Sequence, residues 1–126
     1  MRLLLDTQAF LWWLQDHPRL GREARRLISD RRSIVHVSAA SIWELSIKKA
    51  LGKLRVDRSD LPDEIGASGF VELPITSQHA WRADSLPRHP DDPFDRMLIA
   101  QAQLEELTLV SHDLALEKYG VPVLPA

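Results

Sequence analysis

The sequence has no cysteine in its 126 residues, which excludes disulfides and any zinc site built on thiolates. It fits a reducing compartment, and a cytoplasmic location is the expectation. No run approaches the roughly 20 apolar residues that span a bilayer, so no membrane partner is expected. The opening MRLLLDTQAFLWWL has some look of a signal peptide, but Asp6 interrupts its apolar run and no small-residue cleavage site follows, so it reads as folded structure. Neither sign of charge predominates, at 16 basic against 18 acidic residues and a net charge of −2. Overall charge therefore does not mark a nucleic-acid binder and leaves room only for a local basic patch. There are no internal repeats, low-complexity segments or linkers. No HExxH, phosphate-binding loop or Gly-rich dinucleotide signature is present, and the histidines at 17, 36, 79, 89 and 112 lack metal-ligand spacing.

What is there is ordinary globular material, 44% apolar and 27% charged. One domain over residues 1–126 is expected, large enough to bury roughly two-thirds of its unfolded surface. Leu3-Leu4-Leu5 reads as a strand covered on both faces, followed by a helix from Gln8 to Gln15 with Phe10, Trp13 and Leu14 on one face. Trp12 points away from that face and calls for a second core or a partner. A helix over Gly21 to Arg32 carries Ala24, Leu27 and Ile28 inside. Ile34–Val37 is the next strand, and Ala40 to Leu51 the next helix. There Trp43, Ile47, Ala50, Leu51 and Leu54 recur at helical spacing as a predicted core-facing stripe.

Farther on, a short helix around Leu61 to Ile65 precedes a strand between Phe70 and Ile75, which Pro74 confines to an edge. Thr76 or Ser77 caps a helix bearing Ala80, Trp81 and Ala83, and Leu86 to Pro90 is a proline-punctuated loop. Asp92-Pro93 starts a largely apolar helix, leading to the strand Leu107–Val110. A short helix over Leu114 to Tyr119 and a strand over Val121 to Leu124 close the chain. Strands alternating with helices predict a three-layer α/β/α sandwich around a mainly parallel sheet. In such sheets ligands bind at the carboxyl ends of the strands.

Asp6, Ser38 and Asp113 each lie just past a predicted strand, and Glu44 and Asp95 in first turns of helices. Taken singly, each acid has a structural explanation. Asp6 and Asp113 can cap the helices that follow them. Ser41-Ile42-Trp43-Glu44 fits a capping box, and Asp92-Pro93-Phe94-Asp95 resembles one. Taken together, four converging carboxylates would repel by roughly 3–4 kcal/mol per close pair at an effective dielectric near 20, more than helix N-termini offset. Such a cluster raises pKa values or demands a cation. Oxygen-only ligands favour Mg²⁺, or Mn²⁺, over zinc, and a magnesium site in a crevice suits phosphodiester hydrolysis.

LLLDTQAFLWWL at the start, SAASIWELSIKKALGKL in the middle and HPDDPFDRMLIAQA with LTLVSHD near the end resemble, in that order and spacing, the PIN-domain ribonucleases. The subgroup they resemble is the VapC-type toxins of type II toxin–antitoxin modules. The resemblance covers essentially the whole chain and implies a PIN-like fold. It carries the family's four acidic positions onto Asp6, Glu44, Asp95 and Asp113, with Asp6 and Asp95 as principal Mg²⁺ ligands and the other two completing the shell directly or through water. Thr7 and Ser111 match small hydroxyl positions beside the first and last acids. Asp92 matches a further acid read as a helix cap. The resemblance also implies an RNA substrate, cleavage leaving 5′-phosphate and 3′-hydroxyl ends, a homodimer, and a cognate antitoxin whose C-terminal segment lies over the active-site groove.

Lys48, Lys49, Lys53 and Arg55, with Arg96, could steer an RNA backbone, or form a solvated face on which Glu44 pairs with Lys48. Trp12 with a neighbour, if exposed, would mark a partner site. The competing reading is a non-catalytic interaction or Mg-binding regulatory domain, in which the acids are caps and the tryptophans core. A receiver-type domain is disfavoured, since Ser38 stands after the central strand and no Lys follows LTLV. A dehalogenase-type phosphatase wants an acid where Gln8 stands.

Overall fold

The computed structural model describes residues 1–55, 60–87 and 91–126. Part of the loop expected over Leu86 to Pro90, with His89, lies outside them. Five strands form one sheet: β1 (Arg2–Leu5), β2 (Ile34–Ser38), β3 (Val71–Leu73), β4 (Thr108–Ser111) and β5 (Val123–Pro125), in the spatial order β3-β2-β1-β4-β5. Every pairing is parallel. The helices are α1 (Thr7–Leu14), α2 (Arg22–Ser29), α3 (Ala39–Ala50), α4 (Leu61–Ala67), α5 (Ser77–Ser85) and α6 (Pro93–Glu105), with a 3₁₀ turn at Leu114–Tyr119. The predicted three-layer arrangement is the observed one.

Strand periodicity divides the core. Side chains alternate across a sheet, so Leu3 and Leu5 pack with Phe10, Ala24, Ile28, Val35 and Val37 on the face covered by α1, α2 and α4. Leu4 points the other way, to Leu98, Ile99, Ala102, Leu109 and Leu116 under α6. All three leucines are fully buried, which is why β1 reads as an unbroken apolar run. Pro74 confines β3 as expected: the strand stops before it and pairs only with β2, at the sheet's edge.

Two apolar readings are corrected. On α3 the core face is Ala40, Ser41 and Leu45, with Ile42 and Leu54 packed against the same cluster. Trp43 and Leu51 stand 61% and 63% exposed, and Ile47 is exposed as well. The helix starts at Ala39, and Leu45 rather than Trp43 meets the core, so the larger stripe turns outward. Trp12, by contrast, is buried, stacked on His17 with ring centroids 5.7 Å apart and tilted against His112 at 5.8 Å. The exposed tryptophans are Trp43 and Trp81. On α5 the inward positions are Ala83 and His79, whose imidazole completes a capping box with Thr76.

Candidate active site

Strand β1 sits at the centre of the sheet, with the chain running outward to β2 and β3 on one side and to β4 and β5 on the other. That reversal leaves a crevice beyond the carboxyl ends of β1 and β4, where ligands of open α/β sheets bind. Leu5 is in register with Val37 and with Val110. Asp6, Ser38 and Ser111 therefore leave the sheet side by side, and Asp113 follows two residues later.

Each acid is oriented by local bonds. Asp6 caps α1, its Oδ1 accepting from the Ala9 amide at 2.7 Å, and it also accepts from the Ser111 hydroxyl. Ser111 Oγ in turn accepts from the Asp113 amide at 3.1 Å, so one buried serine fixes two acids. Asp113 Oδ1 caps the 3₁₀ turn through the Ala115 amide at 3.1 Å. Asp92 Oδ1 caps α6 through the amides of Phe94 and Asp95, at 2.8 and 3.3 Å. Capping thus explains where these residues sit without exhausting what they do.

Glu44 departs from its predicted setting. The cap of α3 is Ser38, which accepts from the Ala40 amide at 3.0 Å, so Ser41 and Glu44 form no capping box and Glu44 lies beyond the first turn. Thr7 Oγ1 donates to Glu44 Oε1 at 2.6 Å and lies 3.0 Å from the buried Ser41 hydroxyl. Lys48 Nζ approaches the other oxygen, Oε2, at 3.3 Å. A capping side chain needs no partner on another helix; Glu44 has one on α1. Thr7→Val keeps the shape and removes a donor to a charged partner, and should lower stability by roughly 1.5–3 kcal/mol. Denaturant titration checks this.

Electrostatics joins the acids. Burial, first, and then the charges of Asp92, Asp6, Glu44 and Asp113 push the Asp95 carboxyl from its ordinary 3.8 up to about 7. Asp6 is also raised, mainly by burial and slightly by Glu44; its bonds from Ala9 and Ser111 and the His112 charge pull the other way. Among the described residues no three acids or histidines are already drawn to metal-ligating distances. The mutual pressure on Asp95 nevertheless places all five carboxylates in one field. The donor set, all carboxylate oxygen, fits a hard divalent cation.

Arg96 is not free to meet a substrate. Its Nη1 donates to the Pro87 carbonyl at 2.7 Å, and its Nη2 to the carbonyls of Ala83, Leu86 and Asp84 at 2.8, 2.9 and 3.3 Å. It ties the end of α5 to the start of α6, where Asp95 sits. Trp43 meets Phe94 edge-on at 5.4 Å, so the exposed face of α3 adjoins the first turn of α6. The aromatic cluster at Trp12, His17 and His112 was not legible beforehand, because its members are distant in sequence and of no recognisable spacing.

The PIN domain family model matches residues 3–122. The chain belongs to the PIN domain family. It is 36% identical over 70 residues to Ribonuclease VapC16 of Mycobacterium tuberculosis, a match covering 50% of this chain and 50% of that protein, about half its length. The PIN fold is seen again in solved complexes. One is VapBC2 from Rickettsia felis bound to a promoter DNA fragment, at TM-score 0.71 and 15% identity, covering 98% of each chain. Another is a toxin–antitoxin complex from Klebsiella pneumoniae, at TM-score 0.65 and 20% identity, covering 98% of this chain and 96% of that one.

Proposed function

We propose that this PIN domain is the metal-dependent endoribonuclease toxin of a type II toxin–antitoxin module, inhibited by a cognate antitoxin protein. The observation that carries the reading is the shared field at the mouth of the β1–β4 crevice, where Asp6, Glu44 and Asp113 all act on Asp95. Family membership and the similarity to Ribonuclease VapC16 support it. Asp6 and Asp95 would be the principal ligands of Mg²⁺ or Mn²⁺, with Glu44 and Asp113 completing the shell. The ion supplies a lowered pKa for a water molecule and neutralises charge building on the phosphodiester. The protein's part is to hold the carboxylates: Ser111 fixes Asp6 relative to Asp113, and Thr7 fixes Glu44.

Partners of the reading are RNA, the antitoxin and a second copy of the chain. Similarity to toxin–antitoxin complexes supports the antitoxin. Trp43, Ile47 and Leu51 give an exposed apolar strip beside Phe94 of the kind partners cover. The same strip is what favours the rival reading, a domain that only binds partners.

End-mapped cleavage of total cellular RNA separates the two. The purified protein should cut in Mg²⁺ and not in EDTA, leaving 5′-phosphate and 3′-hydroxyl ends. Ends bearing 2′,3′-cyclic phosphate would exclude this chemistry, and inactivity in every divalent metal would favour the binding domain.

A further inference from the structure

Next to the carboxylates lies a cleft of about 390 Å³ lined by Gln8, Trp12, Arg19, His112 and Ala126. Its size falls in the roughly 300–1,000 Å³ range of small-molecule sites. Gln8 sits two residues after Asp6, His112 immediately precedes Asp113, and the His112 ring acts on the Asp6 carboxyl, so the cleft adjoins the acidic residues. Its character is opposite to its neighbour's: an amide, a guanidinium and aromatic rings beside a cluster of negative charge.

The cleft is built rather than incidental. Trp12 is its floor, buried and stacked nearly parallel on His17 at an interplanar angle of 21°. The loop that follows is pinned by Arg25, which donates to Asp16 Oδ1 at 2.6 Å and to the His17 carbonyl at 3.0 Å. His17 Nδ1 accepts from the Arg19 amide at 3.0 Å, which sets the Arg19 backbone against the cleft. The Arg19 guanidinium has no ion-pair partner among the described residues, although Asp16 is close in sequence and taken by Arg25. His112 is exposed, with its ring against Trp12.

We propose that this cleft holds one nucleotide of a single-stranded RNA, adjacent to the phosphate placed at the carboxylates. The base lies against the His112 ring over Trp12, the Gln8 amide meets the base edge, and Arg19 takes the flanking phosphate. Aromatic faces and an arginine are how single strands are gripped. A guanidinium here offsets the repulsion that the acids exert on a polyanion, and an amide that both donates and accepts gives a means of selecting the base. The inference rests on the ribonuclease reading and adds to it the residues that position the strand.

The test uses the Asp95→Asn protein, so that bound RNA stays intact, with fluorescein-labelled oligoadenylate and oligouridylate hexamers read by anisotropy. Arg19→Ala and His112→Ala should each weaken binding about fivefold or more, and His112→Phe, which keeps a ring, should retain affinity. Arg19→Ala should also reduce the salt dependence, log K against log[salt], by about 0.7, the signature of one lost phosphate contact to a single strand. Arg31→Ala, at the opposite end of the sheet, serves as the control for lost charge. The same substitutions in the otherwise natural chain should raise KM more than they lower kcat. If RNA is bound or cut but Arg19→Ala and His112→Ala behave as Arg31→Ala does, the cleft assignment is overturned and the ribonuclease reading stands. If the natural chain neither binds nor cuts RNA, both fall.

Discussion

Asp95→Asn should make the metal-free protein more stable at neutral pH while abolishing the proposed nuclease activity. The carboxyl is held at about 7 in the folded chain against an ordinary 3.8. Between those values the folded state keeps a proton that the unfolded state has released, so stability falls as pH rises through the window. Below about pH 4 both states are protonated and the penalty is absent; above about 7 it is present in full. Asparagine removes it. Because Asp95 is only partly buried, solvent screening reduces the effect, and a gain of about 2 kcal/mol is expected, or roughly 5–10 °C in Tm. Melts at pH 4 and pH 8 check this, with the gain appearing only at the higher pH. Activity should fall at least about 1,000-fold, since several kcal/mol of charge stabilisation goes with a metal site. A carboxylate whose removal stabilises the fold is the mark of acids gathered for chemistry. A simple cap would show the reverse sign, because losing a cap destabilises.

Arg96→Met should have the largest opposite effect. Four carbonyls, from Ala83 to Pro87, accept from this one guanidinium, and methionine fills the space without offering a donor. Stability should drop by about 3 kcal/mol, or roughly 10 °C in Tm. Arg96→Lys should recover little, because a single ammonium cannot reproduce the planar fork that reaches several carbonyls at once. Activity should fall as well, since the substitution loosens the turn that carries Asp95. Denaturant titration with parallel kinetics separates these losses. An Arg96 engaged chiefly with RNA would instead leave stability unchanged and raise KM.

The sheet and the order of its elements were legible because strands buried on both faces announce themselves as short apolar runs, as Leu3-Leu4-Leu5 does. The collection of Asp6, Ser38 and Asp113 at one edge followed from placing each after a strand, and parallel pairing made the inference hold. What failed was the facing of α3. Helical spacing marks a stripe, yet it cannot say whether that stripe meets the sheet or solvent, and here Ala40, Ser41 and Leu45 took the inside while Trp43 and Leu51 took the outside. The cap of α3 likewise proved to be Ser38 rather than Ser41, three residues earlier, which left Glu44 to meet Thr7. Arg96 was left open between steering RNA and a solvated face for a related reason: its sequence neighbours show only the acid beside it, and the carbonyls of residues 83–87 that it serves come from the end of α5. The coupling of the acids was foreseen as a consequence of convergence, and its focus on Asp95 came from the burial of α6's first turn.

That the carboxylates act together as one cation site is the central claim, and isothermal titration of Mg²⁺ into the metal-free protein tests it most directly. Repeating the titration near pH 7 in buffers of different ionisation enthalpy also counts the protons released. The wild-type chain should bind Mg²⁺ with release of a fraction of a proton, because the ion displaces the proton that Asp95 holds near pH 7. Affinity should rise with pH, and Asp95→Asn should lose both the binding and the proton release. Binding that is absent, or equal in the wild type and Asp95→Asn with no proton released, would contradict the claim and return the acids to the role of separate helix caps.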